Sequence, residues 1–211
     1  SLSANSKIIL ISGLLLALIL PFGFVYLKTL LYDKIIYKAG LEKLLNRDIP
    51  VLGEVPMVED SLISLSKTRG DLMESFRLIR TNLNFLTKTQ VILVTSSIQG
   101  EGKTFAAVNL AQSLCSVKNN KVLLLGLDLR NPKIHTMLNM DRKANQGITN
   151  YLVNDKIEIG SLIENSDKVS FDFILSGPIP PNPTELLLSE NLKNIIEFGK
   201  QNYNYVIIDS A

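Results

Sequence analysis

The chain has 211 residues, with 22 lysines and arginines against 20 acidic residues, so its formal net charge at pH 7 is only +2. This length holds one ordinary domain with an appendage, and the absence of a basic patch interleaved with aromatic residues argues against a nucleic-acid partner. The single cysteine, Cys115, excludes an internal disulfide and lies in an apolar segment that predicts a packing role.

The first predicted element is a membrane-spanning helix over residues 7–31. Residues 8–27 carry no charged side chain, and about 20 residues at about 1.5 Å each cross a hydrocarbon core of about 30 Å. Lys7 precedes this stretch, whereas several basic residues follow it closely: Lys28, Lys34, Lys38, Lys43 and Arg47. The positive-inside rule therefore places the following chain in the cytoplasm. A signal sequence or a buried core helix is the alternative interpretation.

Weaker signals follow the apolar stretch. Residues 28–47 mix apolar and basic positions and predict a juxtamembrane amphipathic helix, or a simple solvated connector. Residues 49–56 predict a short strand closed by Pro56, and residues 59–70 predict a polar linker. Residues 32–70 are thus expected to form a cytoplasmic linker.

Residues 71–211 show a regular alternation of helices and strands. In chain order we expect a helix at 71–86, a strand at 91–95, a helix at 104–117, a strand at 122–127, short helices, a strand at 171–175, a helix at 183–198 and a strand at 205–208. Such alternation predicts an α/β fold, a mostly parallel sheet with helices on both faces. The helix at 104–117 is apolar nearly all round and should be buried.

Two of these helices have start signals. Asp71 and Glu74 have the spacing of a capping box, which predicts that the first helix opens at Asp71. Asn182, Pro183 and Glu185 combine an N-cap residue, a proline at the first helical position and an acidic residue at the third.

A glycine-rich loop joins the strand at 91–95 to the helix that follows it. Gly100 and Gly102 let the backbone curl so that successive N–H groups face an anion, and the helix start adds its positive dipole end. Ser97 stands where the usual G-x-x-x-x-G-K-[ST] pattern has its first glycine. The residues predicted to bind a nucleotide are Gln99, Gly100, Glu101, Gly102, Lys103 and Thr104. An ordinary glycine turn before a helix is the alternative.

Two aspartates follow apolar strands and supply the acidic partners that such a loop needs. Asp128 comes after the strand at 122–127, and Asp209 comes after the strand at 205–208. The carboxyl ends of parallel strands meet in one crevice, so we expect Thr104, Asp128 and Asp209 to hold Mg²⁺. Taken singly, either aspartate could be a helix cap or a turn residue.

Several spaced motifs resemble those of the bacterial tyrosine kinases, in the order expected for that family. They are the S-x-x-G-x-G-K-T loop, the L-D-L-R-N-P-x-x-H run ending at His135, the G-P-I-P-P-N-P-x-E-L-L run from Gly177 to Leu187, and the Y-V-I-I-D run ending at Asp209. The chain resembles in particular the kinases fused to a polysaccharide co-polymerase, over residues 8–211. The resemblance implies a P-loop NTPase-type kinase domain that uses ATP and Mg²⁺, with Lys103, Asp128 and Asp209 as catalytic residues.

The same resemblance implies where the parts of the chain lie. Residues 1–6 would be a periplasmic tail, residues 7–31 the second membrane helix of a larger protein, and residues 71–211 a cytoplasmic kinase domain at the bacterial inner membrane. We expect the chain to be a C-terminal part of that protein and to lack its end, so that the sheet is incomplete and the family's tyrosine-rich tail is not among these 211 residues.

The family's E-x-x-R-x-x-R oligomerisation motif appears as Glu74, Arg77 and Arg80. Steps of three place these side chains on one side of a helix, where a second subunit of a ring could bind. The alternative is that Glu74 completes a cap and pairs with Arg77 within the helix. Further implied partners are the membrane, the polysaccharide polymerase and export machinery, and a protein-tyrosine phosphatase.

One position departs from the family pattern: Gly126 stands where these kinases have the first of two aspartates. We therefore carry three interpretations. The first is a membrane-anchored ATP-dependent protein-tyrosine autokinase of capsular or exopolysaccharide polymerisation and export. The second, supported by Gly126, is a nucleotide-binding oligomerisation scaffold of that machinery without kinase activity. The third is a partitioning-type ATPase with a deviant Walker loop, whose signature lysine would fall at Ile98.

Overall fold

The structure, a computed structural model, describes residues 4–31, 49–57, 69–86, 89–141 and 146–210. Its contacts divide the chain into two compact units, residues 1–51 and residues 52–211. Each unit is described by itself.

The first unit contains one long helix, α1, from Ala4 to Leu31. Its segment Ile8–Lys28 is long and apolar enough to cross a membrane, and no other helix among the described residues has this property. Every side chain of that segment is exposed. Length and composition show only that this helix could span a membrane, and a signal sequence has the same properties. The amphipathic helix predicted at 28–47 lies beyond Leu31 in residues that the structure does not describe.

The second unit is built on a parallel sheet, which confirms the predicted fold class. Its described strands are β1 (Val91–Val94), β2 (Val122–Leu127), β3 (Asp172–Ile174) and β4 (Tyr205–Ser210). These four strands pair with one another in parallel, and the order across the sheet is β1-β4-β2-β3. Because parallel neighbours cannot be joined by tight hairpins, helical crossovers must cover the faces of the sheet.

The described helices of this unit follow the predicted alternation. They are α2 (Arg69–Leu86), α3 (Lys103–Cys115), α4 (Ile134–Met137), α5 (Ile148–Val153), a 3-10 turn (Ile159–Leu162), α6 (Pro183–Leu187) and α7 (Glu190–Asn202).

The central strand β2 separates two hydrophobic cores. Its side chains alternate between the faces of the sheet: Val122 and Leu124 pack in a cluster with residues of α2 and α3, whereas Leu123 and Leu125 pack in a cluster with residues of α5 and α7. All six residues of β2 are buried. Helices therefore cover both faces, as predicted, and α3 is buried along most of its length.

The prediction of a strand at residues 49–56 is wrong. Residues 49–57 are described and have no regular secondary structure. Pro50 and Pro56 have no N–H to give to a strand ladder. The Leu52 carbonyl instead accepts a hydrogen bond of 2.7 Å from the Asn82 side chain of α2.

Two details of the helix starts are also wrong. Helix α2 begins at Arg69, so Asp71 lies inside its first turn and cannot be the N-cap of a capping box. The helix predicted at 183–198 is two helices, because Ser189 is extended (φ −71°, ψ 154°) and starts α7 as its N-cap residue. Ser189 makes no side-chain capping hydrogen bond, so the break depends on its backbone conformation. Pro183 does open α6, as predicted.

A prediction concerns Gly147, which precedes α5 and packs against the backbone after β3. A Cβ atom at residue 147 would lie 2.3 Å from the Gly177 nitrogen. Backbone atoms cannot rotate away, so we expect Gly147→Ala to lower the free energy of unfolding by about 2 kcal/mol or more, measured by urea denaturation. Gly160→Ala is the control, because its Cβ would meet nothing closer than Glu158 Oε1 at 3.6 Å. Equal stability of the two variants would contradict the packing argument.

Candidate active site

The candidate site lies where three strands end and α3 begins. Strand β1 runs into the glycine-rich loop, Asp128 follows the last residue of β2, and Asp209 is the penultimate residue of β4. The parallel arrangement brings these strand ends to one edge of the sheet, which is where α/β folds bind ligands. The structure thus brings together the residues that the sequence predicted from separate motifs.

The loop has the backbone that a phosphate cradle needs. Gly100 (φ 95°) and Gly102 (φ 89°) are both in the left-handed region, where side-chain-bearing residues are strained. A Cβ at either position would have open space around it, so glycine is required here for its backbone conformation. Gly102 is the N-cap residue of α3. The loop therefore delivers the free N–H groups of a buried helix to the strand ends.

Lys103, the first residue of α3, forms an ion pair with Asp128: the Nζ atom donates to Oδ2. Only 13% and 6% of the two side chains are exposed. The other oxygen, Oδ1, accepts from the backbone N–H groups of Asn131 at 2.9 Å and Arg130 at 3.3 Å. Burial alone would raise the pKa of Asp128, but the Lys103 hydrogen bond, the two backbone N–H groups and the Lys103 charge together lower it. Asp128 is therefore a fully partnered carboxylate.

Thr104 and Asp209 form a second pair, in which the buried carboxylate has fewer hydrogen-bond partners than Asp128 has. The Thr104 hydroxyl donates to Asp209 Oδ2 at 2.8 Å, and Asp209 is only 1% exposed. Its other oxygen, Oδ1, has no hydrogen-bond partner among the described residues. Burial raises the pKa of Asp209; the Thr104 hydrogen bond and the Lys103 charge oppose this, and the Asp128 charge adds to it. Asp209 is an under-partnered buried carboxylate.

This second pair fits Mg²⁺. A hydroxyl and a carboxylate are oxygen ligands, and Mg²⁺ is commonly held by one or two carboxylates together with water and substrate phosphates. The orphaned Oδ1 of Asp209 is a buried acceptor that a cation or its water would satisfy. Within the described residues there is no group of three His, Cys, Asp or Glu side chains that could hold a metal ion alone. A Mg²⁺ ion held here would take its remaining ligands from water and substrate phosphates.

Glu101, one of the loop residues predicted to bind a nucleotide, has side-chain contacts within the loop. Its Oε2 atom accepts hydrogen bonds from the backbone N–H groups of Ser97 at 2.9 Å and Ile98 at 3.1 Å. These contacts lie within the loop itself. The sequence pattern carried no signal for them, because a carboxylate inside a glycine-rich loop is equally suited to several roles. The side chain of Gln99 is exposed.

Gly126 is buried in β2, paired in register with Asp209. The Ser176 hydroxyl donates to the Gly126 carbonyl at 2.7 Å. A Cβ atom at residue 126 would lie 3.0 Å from Ser176 Oγ and 3.2 Å from Ile134 Cδ1. The position is therefore tightly packed around glycine. Sequence reasoning singled out Gly126 but missed Ser176, which only the folding of the chain brings beside it.

The three residues of the predicted oligomerisation motif lie on α2 and do not share one role. Glu74 and Arg77 are exposed and pair with each other at 3.5 Å. Arg80 turns back into its own subunit, where its Nη1 atom donates to the Ser113 carbonyl at 2.5 Å and to Ser116 Oγ at 2.8 Å. Ser113 belongs to the last turn of α3, whose carbonyls have no partner within the helix. Arg80 thus caps the end of α3.

Comparisons with known proteins show which families this chain resembles. A family model described as AAA domain matches residues 89–211. The chain is 33% identical to the tyrosine-protein kinase YwqD of Bacillus subtilis over 72% of this chain. It is 27% identical to a putative tyrosine-protein kinase in the cps region of Klebsiella pneumoniae over 96% of this chain. The solved kinase domain of Escherichia coli tyrosine kinase ETK superposes with a TM-score of 0.75 at 26% identity, covering 84% of this chain and 73% of that one.

The chain spans 64% of the length of YwqD and 30% of the length of the Klebsiella pneumoniae relative. The family match includes the loop, both aspartates and all four described strands. The chain therefore belongs to the AAA-domain family, and the relatives and solved structures that it matches include proteins named as bacterial tyrosine-protein kinases.

Proposed function

We propose that this chain is part of a membrane-anchored protein-tyrosine autokinase that uses Mg²⁺ and ATP. The observation that carries the proposal is the convergence of Lys103, Thr104, Asp128 and Asp209 at the mouth of the glycine-rich loop. The relatives named as tyrosine-protein kinases support phosphoryl transfer to tyrosine as the reaction.

Each residue has a role that its contacts support. The backbone N–H groups of Gly100, Gly102 and the first turn of α3 would bind phosphate oxygens. Lys103 would stabilise negative charge on the transferring phosphoryl group. Its ammonium has three donors, so it can keep Asp128 as a partner while it binds a phosphate. Asp128 therefore acts chiefly by orienting Lys103, and we assign it to the metal only through water.

Thr104 and Asp209 would hold Mg²⁺, which neutralises phosphate charge when bound. The Asp209 oxygen that lacks a partner among the described residues is the main support for this assignment. Within the described part of the chain that oxygen has no N–H or O–H partner to give up, so binding there costs no hydrogen bond seen in the structure.

The setting of the kinase follows from α1 and from the relatives. Helix α1 is long and apolar enough to span a membrane, and the match to the cps-region relative covers 96% of the chain. We place the protein at the bacterial inner membrane, with its kinase domain in the cytoplasm, in capsular or exopolysaccharide polymerisation and export. A homo-oligomeric ring, the export machinery and a protein-tyrosine phosphatase are its proposed partners.

The second candidate function is a nucleotide-binding scaffold of the same machinery without kinase activity. The packing around Gly126 favours it, because the Ser176 hydroxyl occupies the space beside residue 126 and leaves little room for a carboxylate. A partitioning-type ATPase is less well supported, because the exposed Ile98 stands at the position of the signature lysine.

A first prediction tests the choice between kinase and scaffold. The complete protein, in detergent with ATP and Mg²⁺, should acquire phosphotyrosine, measured with a phosphotyrosine antibody and by mass spectrometry. We expect Lys103→Met to lower the rate by about 100-fold or more, since it removes the cation beside the transferring group. Nucleotide binding without phosphotyrosine would contradict the kinase and support the scaffold.

A second prediction uses the opposite states of the two aspartates. In the absence of ligand, the raised pKa of Asp209 means that ionising this carboxyl destabilises the folded protein. The folded protein therefore loses stability as the pH rises from the pKa of Asp209 in the unfolded chain through its higher pKa in the folded chain. At pH 7 Asp209→Asn should therefore raise the free energy of unfolding. The pKa of Asp128 is lowered, so its ionised form is stabilising above the unfolded pKa, and Asp128→Asn should lower the free energy of unfolding.

Urea denaturation at pH 7, with and without Mg²⁺ and ADP, measures both effects. Wild type should gain stability from Mg²⁺ in the presence of ADP, whereas Asp209→Asn should gain much less. The assignment of Asp209 to the metal is refuted by an Asn variant that gains as much as wild type.

A third prediction separates the residues of α2. Arg80→Ala should lower the free energy of unfolding by about 1–3 kcal/mol, because it removes the charged hydrogen bonds from Arg80 to the Ser113 carbonyl and Ser116 Oγ at the end of α3. Arg77→Ala removes an exposed ion pair worth at most about 1 kcal/mol, so stability should stay near that of wild type. If Arg77 binds a second subunit, light scattering should show a loss of oligomers for Arg77→Ala at unchanged stability. Equal destabilisation by both variants would contradict the separate roles.

A further inference from the structure

We propose that Glu101 is a positioning residue, which holds the start of the phosphate loop in place with its own carboxylate. The inference rests on the proposed nucleotide site and adds to it a residue that acts through the backbone of the loop.

The evidence is a set of hydrogen bonds at the loop's first turn. Glu101 Oε2 accepts from the N–H groups of both Ser97 and Ile98, at 2.9 and 3.1 Å. The Ser96 hydroxyl donates to the Ile98 carbonyl at 2.9 Å. Hydrogen bonds to an ionised carboxylate are stronger than those between neutral groups. The turn is therefore fixed by side chains of the loop itself.

The loop needs such a contact because neither neighbouring element supplies one. Strand β1 ends at Val94 and α3 begins at Lys103, with the Gly102 carbonyl accepting the first helical hydrogen bond from Ala106, so residues 96–101 belong to neither element. Two glycines of the loop, Gly100 and Gly102, have left-handed backbones, and glycine loses more conformational freedom on ordering than any other residue. Glu101 lies between these two glycines and ties them to the start of the loop.

Chemistry excludes a direct hydrogen bond from Glu101 to a bound phosphate. An ionised carboxylate is only an acceptor, and so is a phosphate oxygen. Glu101 can therefore promote phosphate binding only by ordering the N–H groups that face the phosphates. The other possibility for its side chain is a contact with a ribose hydroxyl, which would depend on the nucleoside.

The experiment measures the affinity of the full chain, in detergent with Mg²⁺, for ATP and for tripolyphosphate, which has no nucleoside. Calorimetry is applied to wild type, Glu101→Ala and Glu101→Gln. The control is Glu197→Ala, which removes an exposed carboxylate of α7 that pairs with Lys200.

We expect Glu101→Ala to weaken the binding of both ligands by about tenfold, which corresponds to the loss of one hydrogen bond to a charged group. Glu101→Gln should recover most of this affinity, because its amide oxygen still accepts. Amide hydrogen exchange gives a readout without ligand: the Ser97 and Ile98 amides should exchange faster in Glu101→Ala than in Glu101→Gln, and the control should match wild type.

Three results would overturn the inference alone: unchanged affinity in Glu101→Ala, a loss for ATP but not for tripolyphosphate, or no recovery in Glu101→Gln. Failure of wild type to bind either ligand would overturn the proposed nucleotide site itself, and this inference with it.

Discussion

Two carboxylates are buried at one edge of the sheet, and the first turn of α3 determines how each is tolerated. A buried charge is costly unless it is paired and hydrogen-bonded. Asp128 meets this requirement completely, through Lys103 and two backbone N–H groups. Asp209 meets it only in part, because Thr104 serves one of its oxygens. The site is thus stable on one side and electrostatically incomplete on the other.

The incomplete side is the one suited to a ligand. A protein that satisfied Asp209 fully would be more stable without ligand but would have no unpartnered oxygen to offer a cation. Stability and binding therefore make opposite demands on this one side chain, a balance that is common at functional sites.

Helix α3 links the site to the rest of the domain. Its start forms the end of the loop, and its middle packs against the sheet through Ala107, Ala111 and Leu114. Its last turn is capped by Arg80 from α2. A disturbance of α2 can therefore reach the loop through a single rigid, buried helix. For the same reason, a motif read as an interface signal also contains a residue on which the domain's own packing depends.

The relatives favour a kinase, whereas Gly126 favours a scaffold without kinase activity. The packing around Gly126 is the physical basis of this difference. The AAA family match spans the loop and both aspartates, and the fold is that of a solved bacterial tyrosine kinase domain. At residue 126, however, the chain uses the absence of a side chain to bring β2 close to Ser176 and Ile134. A side chain introduced at residue 126 would therefore require Ser176 and Ile134 to move.

The sequence by itself was sufficient to predict the four strands of the sheet, their parallel arrangement, the loop, and the meeting of Lys103, Thr104, Asp128 and Asp209 beside it. Apolar strands, glycines and strand-end aspartates are local patterns, and parallel topology brings their ends together without further information. Local patterns failed where they competed with packing: the strand at 49–56, the cap at Asp71 and the uninterrupted helix at 183–198.

Tertiary structure alone decided which partner each polar side chain takes. The sequence could not distinguish a fully paired Asp128 from a half-paired Asp209, because both simply follow an apolar strand. Nor could it show that Arg80 turns inward while Arg77 stays exposed, or that Ser176 lies beside Gly126. Each of these contacts joins residues far apart in the chain, so their geometry exists only once the sheet and helices have packed.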